Sequence, residues 1–84
     1  MLKRSDLIRL LDEMIEHQHK KVLSIAREFI PGVTPEDLRN PQDYPELMNN
    51  SRFNFEDGVL AGFLGVRMAL LNEINRSEPA SEEE

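Results

Sequence analysis

Residues 58–72 read GVLAGFLGVRMALLN, and the fold of the chain turns on how that run is covered. Its only charge is Arg67. Val59, Phe63, Val66, Leu70 and, just beyond, Ile74 fall at helical spacing and make one apolar stripe; Leu60, Leu64, Met68 and Leu71 make a second. A helix that is apolar on two sides has to be buried on two sides. One partner helix covers one stripe, so the run predicts a further covering surface.

The same run is notched with small residues. Gly58 and Gly62 form one small-xxx-small pair, and Ala61, Gly65 and Ala69 form another. A glycine inside a helix costs about 1 kcal/mol relative to alanine. Close approach of a second backbone is the usual reason to tolerate that cost. An interface is therefore expected at Gly58, Ala61, Gly62, Gly65 and Ala69, flanked by Leu60, Leu64, Met68 and Leu71. The competing reading packs the small residues against the other long helix of the same chain.

Upstream of the run, Asn54 is a good N-cap, and Glu56 and Asp57 suit the positive end of the helix macrodipole. These signals predict a helix over Phe55–Arg76. The first long helix is predicted over Asp6–Ile30, capped by Ser5 and ended by Pro31-Gly32. Ile8, Leu11, Ile15, Gln18, Val22, Ile25 and Phe29 recur at alternating spacings of three and four, a seam with one polar member. Leu7, Leu10, Met14 and Ala26 widen it. Gln18 either sets the register of the seam or reaches water from its edge, and the second reading is slightly preferred. Arg67 is expected either to snorkel to water or to pair with Asp12, Glu13 or Glu16 of the first helix.

The connection, residues 31–54, is long and proline-rich. Thr34-Pro35-Glu36-Asp37 and Asp43-Tyr44-Pro45-Glu46 both carry helix-start signals. Two single-turn helices are expected, each offering a leucine (Leu38, Leu47) to the end of the bundle, with Tyr44 and Met48 helping to cover it. From Ser77 the chain is short of apolar residues and dense in glutamate, so residues 77–84 are expected to be a disordered acidic tail. The fold class is thus all-α. It has one domain over residues 1–76, two long helices forming an antiparallel hairpin, and a pairing of two hairpins into a dimeric four-helix bundle.

Composition limits the function. The chain has 84 residues, no cysteine and a formal charge of −6. A small cysteine-free domain has no disulfide or thiolate metal site to support it, which leaves oligomerisation. An acidic chain without a basic face is a poor nucleic-acid binder. Absence of cysteine fits the cytoplasm, and the charged start of the chain does not read as a signal peptide. Glu16 and His19 at i,i+3 are half of a bundle metal site. His17 and His19 diverge by about 160° on a helix and cannot share one. Ion pairing on a solvated face is the preferred account of all these residues, so no metal, cofactor or small-molecule substrate is expected. No nucleophile–base pair or phosphate-cradling loop is present, and no enzyme activity is expected. What remains is a protein–protein interaction module, self-pairing or docked on a larger partner. The alternatives are a peripheral membrane protein using its second helix, and a metal binder using Glu16 and His19.

Overall fold

The computed structural model describes residues 2–77, and these are helical throughout apart from short connections. α1 spans Arg4–Phe29, α2 spans Pro45–Met48 and α3 spans Ser51–Ser77. Two 3₁₀ turns, Asp37–Arg39 and Pro41–Asp43, lie between α1 and α2. Of the predicted disordered tail, 77–84, Ser77 is instead the last residue of α3, and residues 78–84 lie outside the described residues.

Both long helices start earlier than their capping signals suggested. α1 begins at Arg4, which puts Ser5 inside the first turn. Asp6 does the capping instead: its Oδ2 accepts the Lys3 amide at 3.1 Å. α3 begins at Ser51, four residues before the predicted start. Asn50 is its cap, with Oδ1 accepting the Phe53 amide at 2.7 Å. Asn54, the predicted cap, sits in the first turn and donates its Nδ2 to the Met48 carbonyl at 2.8 Å. The start moves back by one turn of helix, which brings the buried Phe53 into α3. α1 ends where the sequence placed its stop. Pro31 pushes the residue before it out of the helical region, and Ile30 adopts φ −132°, ψ 86°.

The long helices run antiparallel. As the α1 partner moves back from Glu28 to Gln18 to Asp12, the α3 partner moves forward from Arg52 to Glu56 to Arg67. Along α1 the predicted seam holds: Leu11, Ile15, Gln18, Val22 and Ile25 are buried, with Ala26 beside them. Phe29 is the exception and lies exposed at the end of the helix. Along α3 the seam is Phe53, Glu56, Leu60, Phe63, Arg67, Leu70 and Ile74, each buried or half-buried and again spaced three and four apart. This seam takes Leu60 from one predicted stripe and Phe63, Leu70 and Ile74 from the other. An apolar count could not find it, because two of its positions are the charged residues Glu56 and Arg67.

The tightest packing is at the loop end of the hairpin. Leu47, Phe53 and Val33 are the largest fully buried side chains, and they close over Val22, Ile25 and Ala26 of α1. Leu47 is the expected plug; Leu38 and Tyr44 pack on the core from its edge, whereas Met48 points outward at 44 % exposure. Thr34 and Asp37 hold the connection in a reciprocal box: the Asp37 amide donates to Thr34 Oγ1 at 3.2 Å and the Thr34 amide to Asp37 Oδ2 at 3.0 Å. Arg27 Nε donates to the Val33 carbonyl at 3.0 Å and ties the loop back to α1.

Candidate interaction surface

The seam leaves the outer side of α3 uncovered. Phe55 is 67 % exposed, Met68 66 %, Val66 56 % and Leu64 43 %. Gly58, Ala61, Gly62, Gly65 and Ala69 are exposed as well. A Cβ added at Gly58, Gly62 or Gly65 would meet nothing within 4 Å. The competing reading, in which these glycines admit close packing against α1, is therefore overturned: the helix turns them away from its partner. Of the nine predicted interface residues, Leu60 also needs correction. It belongs to the hairpin's own core at 7 % exposure, because it occupies a seam position opposite α1. Leu71 is half-buried, and the others lie on the open side.

α1 adds an apolar strip that the sequence had assigned to bundle contacts. Leu7, Leu10 and Met14 are all exposed on it. Leu10 and Met14 line a shallow groove of about 360 Å³ with Phe63 of α3. The exposed apolar surface therefore reaches from α3 onto one flank of α1. The only charge within residues 58–72 is Arg67, and its Nε donates to Asp12 Oδ1 across the hairpin at 2.6 Å. The outer side of α3 over that span carries no charge.

Gln18 sits in the seam and not at its edge. It is 5 % exposed, and its Nε2 donates to the Glu56 backbone carbonyl at 2.9 Å and to Glu56 Oε1 at 2.8 Å. Lys21 Nζ lies 3.3 Å from the other Glu56 carboxylate oxygen. The hydrogen bond from Gln18, with the Lys21 charge, holds the Glu56 carboxyl below the usual glutamate range. A second cross-hairpin pair, Arg52 Nη2 to Glu28 Oε2 at 2.6 Å, does the same for Glu28.

Glu16 and His19 line a cleft of about 520 Å³ between α1, the first 3₁₀ turn and α3. Asp57 of α3 is on the same cleft; burial pushes its carboxyl up, offset in part by the His19 charge. The sequence offered no sign that Asp57 would face His19, since that depends on the hairpin register. Glu16 is turned to Lys20, 3.8 Å away. Among the described residues, no three His, Asp or Glu side chains gather where they could hold a metal ion. No helix of the described residues is long and apolar enough to cross a membrane.

Fold and surface together define a small all-helical hairpin with one apolar side left open. Compared with known families, curated proteins and solved structures, the chain matches none.

Proposed function

We propose that the chain is a non-enzymatic interaction module, in which the outer side of α3 docks against another helical surface and two hairpins complete a four-helix bundle. The observation that carries this reading is the open outer side of α3, where the exposed Gly58, Ala61, Gly62, Gly65 and Ala69 are flanked by Leu64 and Met68 on one edge and Phe55 and Val66 on the other, all four more than two-fifths exposed. Contiguous apolar patches of a few hundred Å² or more mark interaction sites in soluble proteins. A two-helix unit of this size also has few other sources of stability, and pairing supplies a second layer to its core.

Analytical ultracentrifugation from low to high micromolar concentration tests the reading, with an apolar-surface dye as a second readout. Growth of the sedimenting mass above 9.7 kDa is expected, with dye binding falling as mass rises. A monomer at every concentration that also binds no dye would sink it. Flotation with neutral and anionic vesicles runs alongside, and uptake by vesicles in place of self-association would favour a membrane role for α3.

A further inference from the structure

We infer that the cleft between α1, the first 3₁₀ turn and α3 binds a small organic ammonium ion, a protonated amine on a compact hydrocarbon body, with Asp57 as the group that holds the charge. The cleft shares no residue with the open side of α3, so the assignment does not depend on the pairing of two hairpins.

The register of the hairpin makes the cleft. Asp57 and Leu60, three apart on α3, are neighbours on its surface. The antiparallel packing lays them across from His19, Val22 and Leu23 of α1. The turn Asp37–Arg39 closes the third side with Leu38. Val22 and Leu60 are 3 % and 7 % exposed, and Leu23 and Leu38 pack on the same core from its edge. The floor is therefore aliphatic. The volume is about 520 Å³. Small-molecule sites run from about 300 to 1,000 Å³ and join an apolar lining to a few placed polar groups.

The charges on the rim select the ligand. Glu16 is paired with Lys20 at 3.8 Å and Glu36 with Arg39 at 3.7 Å, so these charges cancel in pairs. Asp57 and His19 are left. Among the described residues no hydrogen bond or close ion pair engages the Asp57 carboxylate, and His19 acts on it through its charge alone. The side chain is half-buried, and burial pushes its carboxyl up. That is the mark of a charge taken from water without a full counter-charge. The fold has thus desolvated the carboxylate before any ligand arrives. An ammonium group that reaches it gains a charge-assisted hydrogen bond, while its hydrocarbon body covers Leu38 and Leu60. An anion is repelled by the same carboxylate, and a neutral molecule leaves it unpaired.

The test is a titration of the full chain at about pH 8, where alkylamines are charged and carboxyl groups ionised, followed by amide NMR signals. Adamantylamine, adamantanol and adamantane carboxylate are the probes, since they share one rigid body and differ in charge. The amine is expected to shift the signals of Val22, Leu23, Leu38 and Leu60 to saturation. The alcohol is expected to bind about tenfold more weakly, and the carboxylate to leave the signals unmoved. Asp57→Asn keeps the shape and removes the charge; with its fold confirmed by circular dichroism, it is expected to weaken the amine about tenfold and leave the alcohol unchanged. Leu38→Ala, at the edge of the core, is expected to weaken both together. No saturable shift, equal binding of amine and alcohol, or full affinity in Asp57→Asn overturns the assignment. Nα-acetyl-lysine amide carries the same ammonium group on a peptide unit. Binding of that probe as tight as adamantylamine assigns the cleft to a lysine of a partner protein and overturns the small-molecule ligand. None of these outcomes bears on self-association, which sedimentation reads separately.

Discussion

At the scale of the residue, the glycines of α3 make a prediction of opposite signs. Alanine at Gly58, Gly62 or Gly65 meets no atom of the hairpin, so helix propensity alone acts on the isolated chain. Each change is expected to stabilise the monomer by up to about 1 kcal/mol, read as a higher melting temperature in dilute solution. Where two hairpins pair through the outer side of α3, an added methyl group holds the backbones apart, so Gly62→Ala is expected to weaken self-association in sedimentation while it strengthens the monomer. Gln18 makes a second prediction. Gln18→Ala removes the buried donor of two hydrogen bonds and opens a cavity, and is expected to cost about 1–3 kcal/mol in chemical denaturation. Gln18→Leu refills the space, and the Glu56 carboxylate keeps Lys21. It is expected to recover only the cavity part of the loss, because the carbonyl and Oε1 of Glu56 still lose their donor.

At the scale of the element, two cross-hairpin carboxylates tie α1 to α3. Glu28 and Glu56 are both held below the usual glutamate pKa of about 4.3. A lowered folded pKa contributes stability that is complete above the unfolded value and is lost as pH falls through the folded one. Asp57 works in the opposite sense: its raised pKa favours the fold at low pH, and that contribution is lost as pH rises through the folded value. The two glutamates outnumber it, so the hairpin is expected to lose stability on acidification below about pH 4.3. A Glu28→Gln, Glu56→Gln double variant is expected to show a smaller drop in melting temperature between pH 6 and pH 3. The α2 segment contributes through burial as well as through the Asn54–Met48 hydrogen bond. Leu47, Phe53 and Val33 meet there with almost no exposure, and Phe53→Ala is expected to cost about 3–5 kcal/mol. Loss of helical signal at room temperature is the readout, since that cost approaches the whole stability of a small domain.

At the scale of the whole molecule, net charge and the open face oppose one another. The chain carries −6, so two copies repel through solvent while an uncharged strip brings them together. Salt screens repulsion over the Debye length, which falls to about 10 Å at 0.1 M. The dimer is therefore expected to tighten as sodium chloride rises from millimolar levels to about 0.15 M. Docking on a basic partner would weaken over the same range. Sedimentation equilibrium at fixed protein concentration and varied salt gives the sign.

Much of this architecture was legible before any coordinates. The α1 seam from Ile8 to Ile25, the stop at Pro31 and the Thr34 turn all follow from short-range physics: side-chain period, the clash of proline with the residue before it, and an oxygen within reach of a free amide. The two-sided apolar character of α3 was equally plain. What the residues alone left open was which side of α3 faces inward. That choice rests on Gln18 meeting Glu56 and Arg67 meeting Asp12, pairs separated by 38 and 55 residues. Such pairs exist only once the hairpin has closed. The tertiary structure thus drew Leu60 into the core, turned Gly58, Gly62 and Gly65 outward, and removed the competing reading in which the glycines pack against α1 of the same chain.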